Sequence, residues 1–260
     1  MTPSTPFFDH YPHFYNSSKT STSAVRLAAR HIAIIKEHQE LLAGRRVLDL
    51  ASHDGRWAFA AIHAGAAHVT GIEARNELVE NARSNFARYE VDPNRYDFIV
   101  GDIFKTLSEI NLQVDVVLCL GFFYHSLRHV ELLDLIDRTG ANVLILDTEI
   151  ISDQSSKFDT PQYKLKGAGG RKIWEKPVSI QLIEEPVDHE SMAFRESATR
   201  SDHALVARPS LQYLDVLLDH FGFSASRGNW ATILSSQVNT ADLRDYAEGW
   251  RDTFLCTRRR

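Results

Sequence analysis

The stretch that most constrains the fold is residues 45–73, RRVLDLASHDGRWAFAAIHAGAAHVTGIE. Val47, Leu48 and Leu50 make a short apolar run that reads as a buried strand, and Ala51-Ser52-His53-Asp54-Gly55 breaks it with small and polar residues suited to a tight turn. Residues 57–66 then fit a helix, and residues 68–73 fit a second buried strand ending in the carboxylate Glu73. This is one βαβ unit, and its physical use is nucleotide binding. The turn and the helix N-terminus present backbone N–H groups, while the acid ending the next strand accepts ribose hydroxyls. Glu73 lies roughly twenty residues past the turn, as that geometry requires. A pyrophosphate dinucleotide packs closely enough to demand a fuller glycine set. Here Ala51 and His53 stand where glycine is expected and only Gly55 remains, which argues against NAD.

At these residues the chain resembles the class I S-adenosylmethionine (SAM) methyltransferases. VLDLASHDG stands where that family has a hydrophobic strand, an acid and a glycine-rich turn, and GIEA matches its ribose-binding strand end. Val100-Gly101-Asp102-Ile103 matches its adenine-side acid, and LCLGFFYH, residues 118–125, looks like the strand and loop over the methyl donor. In that loop the G-x-x-Y-H turn is similar to the tRNA wobble-uridine carboxymethyltransferase group and related small-molecule enzymes. The resemblance covers residues 45–140 well and the rest loosely. It implies SAM as methyl donor, held by Asp49, Ala51, Ser52, His53, Gly55, Trp57, Glu73, Ala74, Asp102, Ile103 and Leu120. It also implies an α/β fold: a Rossmann-like seven-stranded mixed sheet flanked by helices, with an N-terminal helical cover and an insertion after the fifth strand.

The 260 residues suffice for one domain of this kind, divided as cover and helix 1–42, SAM-binding core 43–150, acceptor-binding insertion 151–208, and last helix and strands 209–260. A net charge of -5 argues against gripping a long polyanion through the bulk field, although Arg258-Arg259-Arg260 is a local basic run. No apolar run approaches the roughly 18 residues needed to span a bilayer, and no export signal is read, so the expectation is a cytoplasmic protein. Cys119 and Cys256 sit in apolar runs and read as buried small hydrophobes.

In chain order, the aromatic-rich residues 1–20 read as an ordered cover, with His10 and His13 lacking the companions of a metal site. Residues 21–42 read as an amphipathic helix capped by Thr22 or Ser23, and Tyr15, Lys19 or Arg26 are candidates for the SAM carboxylate. Strands are expected at residues 96–100, 114–120 and 142–146, with a helix at 76–89. Asp102 serves either the adenine amine or as a cap for residues 103–107. Phe122, Phe123 and Tyr124 are either core residues or cation-π partners of the sulfonium. His125 and His129 lack the glutamate of a zinc motif, and His125 is a general base or a structural histidine. Asp147-Thr148-Glu149 is expected to project from the fifth strand toward the ligand edge, to assist His125, orient an acceptor or hold a divalent metal; a metal stays open without being predicted.

Residues 152–208 are polar, glycine-containing and locally basic at Lys164, Lys166, Arg171 and Lys172. Strands are expected at 180–187 and 204–206, with His189, Arg195 and His203 as acceptor-contact candidates. Residues 211–220 form a clear helix ended by Gly222, a strand starts at Phe223, and residues 226–235 with 253–257 are expected to form a closing hairpin.

The function expected is methyl transfer to a small-molecule hydroxyl of a sugar, glycolipid or secondary metabolite. His125 is the base, with Asp147 and Glu149 behind it. The loop carries neither the Asn/Asp-Pro-Pro-aromatic motif of nucleic-acid amino methyltransferases nor a Pro-Cys nucleophile. A tRNA-modifying enzyme, a non-catalytic SAM-binding protein and a nicotinamide oxidoreductase are the alternatives. Oligomeric state is not legible in the sequence.

Overall fold

Strands that are buried on both faces read as unbroken apolar runs, and that pattern marks the parallel strands at the centre of this chain. The computed structural model describes residues 5–17, 23–151, 178–186, 199–200, 203–237 and 240–259. The elements begin with helices α1 (Ala24–Ile34) and α2 (Gln39–Leu42). They alternate through β1 (Arg46–Leu50), α3 (Arg56–His63), β2 (His68–Glu73), α4 (Asn76–Arg88), β3 (Tyr96–Val100), α5 (Ile103–Glu109), β4 (Val116–Leu120), α6 (His129–Arg138) and β5 (Val143–Glu149). Three strands follow, β6 (Ile180–Pro186), β7 (Thr199–Arg200) and β8 (His203–Pro209). The described chain closes with α7 (Leu211–His220), β9 (Phe223–Arg227), α8 (Trp230–Ser235), α9 (Arg244–Ala247) and β10 (Arg251–Arg258).

Seven strands form one sheet in the order β3-β2-β1-β4-β5-β10-β9. The first five run parallel, and β10 is antiparallel to both β5 and β9. The direction of the crossovers reverses between β1 and β4, and open sheets of this kind bind ligands outside the C-terminal strand ends at that switch.

Alternation along each strand divides the core in two. Leu48, Leu50, Ile72, Cys119, Leu144 and Leu146 face one side, with Phe104, Leu132, Ile136 and Leu214. Val47, Val69, Val116, Leu118 and Ile145 face the other, with Leu27, Ile34, Phe59 and Phe86. Each fully buried leucine or phenylalanine contributes about 1.5–3 kcal/mol relative to exposure, so the two layers set the sheet's position firmly. The expected aromatic cover is ordered: Phe8 and Phe14 are fully buried, Phe14 lies 5.0 Å from Phe59, and the backbone N–H of His13 donates to the Tyr89 hydroxyl at 3.0 Å.

Three expectations need correction. The helix expected over residues 21–42 is interrupted: Ser23 caps α1, which ends at Ile34, and a single 3-10 turn (Lys36–His38) precedes α2. The polar residues 36–40 carry no apolar face to bury there. Residues 230–235 are helix α8 and not part of a hairpin, because Trp230 and Ile233 stand three apart and both bury against Ala29 and Ala33 of α1. The fifth strand runs on to Glu149, since β10 pairs across it from Thr257↔Val143 to Arg251↔Glu149. Asp147 and Glu149 are therefore strand residues.

The expected strands of the insertion are present as a separate three-stranded antiparallel sheet, β6-β8-β7. It joins the site through Ile151, whose N–H donates to Pro209 at 3.0 Å, and through side chains described below.

Gly71 shows how closely the βαβ unit is packed. A Cβ there would meet Phe98 at 2.6 Å and Ser52 Oγ at 2.7 Å, with no flexible chain end to yield. Gly71→Ala is expected to lower stability by about 1–3 kcal/mol in urea denaturation, as overpacking does.

Candidate functional site

After Leu50 the chain takes three left-handed residues in alternation, Ala51 (φ 54°), His53 (φ 52°) and Gly55 (φ 77°). Ala51 and His53 thus take the left-handed conformation that glycine adopts freely. Gly55 is needed twice over, for its φ and because a Cβ would meet Ala82, Phe98 and Phe86 at 3.0–3.1 Å. Ala51 and His53 carry strain of order 1 kcal/mol each instead. The Ser52 N–H donates to Ile72 O at 3.0 Å and the Gly55 N–H to Ser52 O at 2.9 Å, which fixes the turn against β2.

The acids around the turn are deeply placed. Asp49 Oδ2 accepts the Ala58 N–H at 3.1 Å, tying β1 to the start of α3. Burial, seconded by Asp54 and Glu73, pushes its carboxyl up to about 8 against the lowering effect of that bond. Glu73 is fully buried; its Oε2 accepts the His53 N–H at 3.1 Å and its Oε1 accepts Arg75 N and Nε at 3.1 and 2.9 Å. Its neighbour Ala74 is half-buried at the mouth of β2. Asp54 is held by Arg56 through paired 2.8 Å bonds and by the Ser17 hydroxyl at 2.5 Å. Asp102, at the end of β3, accepts the Lys105 N–H at 2.8 Å and so caps α5, while Ile103 is buried in the core.

Trp57 is buried edge-on to Phe8, with the Arg30 guanidinium 5.0 Å from its ring. Arg30 Nε and Ser52 Oγ are buried without a hydrogen-bond partner among the described residues. Of the expected carboxylate anchors, Arg26 is instead committed to Asp245 by bonds of 2.8 and 2.6 Å, and the Tyr15 hydroxyl donates to Asp9. Lys19 lies outside the described residues, as do His189, Arg195, Lys164, Lys166, Arg171 and Lys172. Arg30 was not anticipated, because nothing in its local spacing separates it from the other cations of α1.

Beyond the half-buried Leu120, Phe122 and Phe123 pack into the core, whereas Tyr124 turns toward Arg251, whose Nη1 donates to its hydroxyl at 3.3 Å. Asp147 does not project toward His125. It is fully buried and accepts Arg251 Nε at 2.7 Å, Arg30 Nη2 at 3.2 Å, the Tyr246 hydroxyl at 2.6 Å and the Thr253 hydroxyl at 3.0 Å. Burial works to raise its carboxyl, but Arg251 and Arg30, with the Tyr246 bond, outweigh it and hold the group at about 2.

Glu149 faces Arg251 at 3.9 Å and Arg208 of β8 at 2.5 Å. His125 takes its partner from the second sheet: Nδ1 lies 2.8 Å from Glu185 Oε2. No sequence spacing links residues sixty apart, so only the fold could reveal this pair. His129 diverges from His125, stacking on Phe123 at 4.2 Å with Nε2 3.0 Å from Phe123 O, and burial lowers it to about 4. Among the described residues no three His, Cys, Asp or Glu side chains converge as metal ligands. Burial raises the Cys119 thiol to about 12 and raises Cys256 as well, leaving neither suited to nucleophilic work.

Residues 47–141 match the sequence model of a family described as "Methyltransferase domain". A curated relative, ribosomal RNA large subunit methyltransferase K/L of Shewanella oneidensis, is 27% identical over 150 residues, 56% of this chain and 21% of that protein. The same enzyme of Shewanella sp. is 32% identical over 74 residues, 28% of this chain and 10% of its own length. The chain thus spans about a fifth or less of these relatives.

Among solved structures, the N-terminal domain of EvdMO1 with SAH and D-fucose superposes with a TM-score of 0.56 at 18% identity, over 86% of this chain and 81% of that one. The DhpI–SAH complex gives 0.55 at 15%, over 97% of both. Magnesium protoporphyrin IX methyltransferase of Synechocystis PCC 6803 with bound SAH gives 0.54 at 13%, over 97% of this chain and 94% of that one. At these identities the likeness is one of fold, and the fold is the Rossmann-like one of class I methyltransferases.

Two outcomes follow from the turn and the buried acid. Ala51→Gly is expected to leave stability unchanged or higher, whereas Ala51→Val, β-branched at a left-handed position, loses about 1–2 kcal/mol in urea titration. Asp147→Asn strands Arg251 in the interior and costs about 3–5 kcal/mol. Because the folded carboxyl lies below its unfolded value of 3.8, its share of stability is present above pH 4 and is lost as pH falls toward 2. That loss, roughly 2 kcal/mol, is read as a flatter acid limb in the variant's stability profile.

Proposed function

With a methyltransferase-domain match over residues 47–141 and the class I sheet order as premises, we propose that this chain transfers the methyl group of SAM to a hydroxyl of a small, polyhydroxylated acceptor. The residues at the switch point suit that donor. Glu73 ends β2 where ribose hydroxyls are accepted, Asp102 follows β3 as the cap of α5 on the adenine side, and the left-handed turn 51–55 brings backbone close. Arg30, with a buried Nε still to be satisfied, is the donor suited to the amino-acid carboxylate, beside Trp57. Bound there, SAM supplies an electrophilic methyl for in-line displacement.

What the chain itself does is align the acceptor, exclude water and take a proton. The observation that carries the reading is His125, placed past the end of β4 with Nδ1 engaged and Nε2 left to act as base. Around it Tyr124, Arg251, Glu149, Arg208 and Glu185 alternate donors and acceptors. Such a wall suits several hydroxyls at once, and the EvdMO1 domain, whose structure was determined in the presence of D-fucose, accords with a sugar. Asp147 holds Arg251 in place and touches no acceptor.

A second reading, an RNA acceptor, draws on the ribosomal RNA methyltransferase relatives. The net charge of -5 weighs against it, since polynucleotide affinity rests on released counterions. Among the described residues no helix is long and apolar enough to cross a membrane.

Incubating the enzyme with methyl-labelled SAM and fractionated extract is expected to place the label in carbohydrate or a glycosylated small molecule; label in RNA would overturn the reading. His125→Ala is expected to cut the methylation rate by about a hundredfold with SAM affinity unchanged, and a loss under threefold removes the base from the mechanism.

A further inference from the structure

The insertion sheet brings one charged group to the candidate base, and its strand geometry shows why that residue and not its neighbour. Along β6, Leu182 and Glu184 are exposed while Ile183 and Glu185 are half-buried, so period-two alternation turns Glu185 inward. Pairing with β8 sets the height: Ile183 lies opposite Val206, which is buried, and Glu185 opposite Ala204. A one-residue slip of register would expose Glu185 and bring Glu184 in. On the same face of β8, Arg208 binds Glu149 at 2.5 Å. The His125 bond, with the His125 and Arg208 charges, outweighs the opposing effect of burial and leaves the Glu185 carboxyl below the usual carboxylate range.

Resting on the methyl-transfer reading above, we propose that Glu185 is a positioning residue for His125: its carboxylate accepts the Nδ1–H, fixing the imidazole in the tautomer whose Nε2 lone pair faces the acceptor. The chemistry is the one-proton exchange expected of a base. As the acceptor oxygen forms its bond to the methyl carbon and the sulfonium bond breaks, the hydroxyl proton passes to Nε2, and Glu185 stabilises the resulting imidazolium without taking the proton.

A side chain from the turn beyond β4 meets one from the second sheet here, His125 half-exposed at 44% and Glu185 at 29% of their side-chain surfaces, so the bond is accessible to solvent and easily lost in water without a strand to hold it. The second sheet thereby becomes part of the reaction centre. The chain of contacts Asp147, Arg251, Glu149, Arg208 then runs from the buried end of β5 to β8, the strand paired with the one that carries Glu185. A second route runs from Arg251 through the Tyr124 hydroxyl to the Tyr124 ring, which packs 4.1 Å from that of His125.

The test is nitrogen NMR on protein carrying isotopically labelled histidine, the His125 signal being assigned by its loss in His125→Gln. In the wild type the neutral ring is expected to carry its proton on Nδ1. In Glu185→Ala the proton moves to Nε2, the form that imidazole prefers in water. With the labelled-acceptor assay the same variant is expected to lose about tenfold or more in kcat, as misplacing a base does, while KM for SAM and the thermal midpoint hold.

Glu185→Gln, which keeps an acceptor oxygen, is expected to restore Nδ1–H and part of the rate. An unchanged tautomer in Glu185→Ala, an unchanged kcat, or a Glu185→Gln no better than alanine in both measurements each overturns the proposal. A wild type that labels no acceptor while the tautomer responds as described overturns the methyl-transfer reading and with it any catalytic use of the pair.

Discussion

Asp147 carries a full charge at a point where the sheet is closed to water, and the way that charge is met governs how the site is assembled. Moving a carboxylate out of water costs several kcal/mol, which only close cations and hydrogen bonds can offset. Arg251 from β10, Arg30 from α1, Tyr246 from α9 and Thr253 from β10 all converge on it. Four partners from three elements leave little freedom in how α1, the last strand and the α9 region approach β5. Arg251 is then fixed with one nitrogen toward Tyr124 and Glu149, so the placement of those two side chains inherits its geometry from Asp147.

The opposite end of the site obeys a different constraint. Backbone has to come close at the turn after β1, and the chain achieves this with left-handed Ala51 and His53 where glycine would be free of strain. His53 is held in that conformation from outside: its N–H binds Glu73 and its ring nitrogen lies 2.9 Å from Arg75. The strain is thus borne by contacts to the acid that ends β2, which couples the turn to the C-terminal end of that strand.

Much of this was legible in the sequence, because periodicity and strand-end acids are local signals. The βαβ unit, the sheet, the positions of Glu73 and Asp102, and the strands of the insertion could all be read from runs of a few residues. Asp147 and Glu149 were found but given the wrong surroundings. Whether a strand-end acid faces ligand or a buried arginine depends on the antiparallel neighbour, a partner about a hundred residues away. The helix α8 was missed for a related reason: residues 230–235 bury Trp230 and Ile233 on α1, and only that docking favours helix over strand. Glu185 left no mark at all beyond an unremarkable pair of glutamates in a polar segment.

The place of β10 in the sheet also bears on the order in which a newly made chain becomes competent. It enters between β5 and β9, although it follows both in the sequence. Until residues 251–258 are in place, Asp147 lacks its principal counter-ion and β5 has an open edge, so the parallel half can collapse while the Arg251 contacts to Tyr124 and Glu149 cannot form. Closure of that gap joins strands about a hundred residues apart, a long-range event of the sort that slows folding.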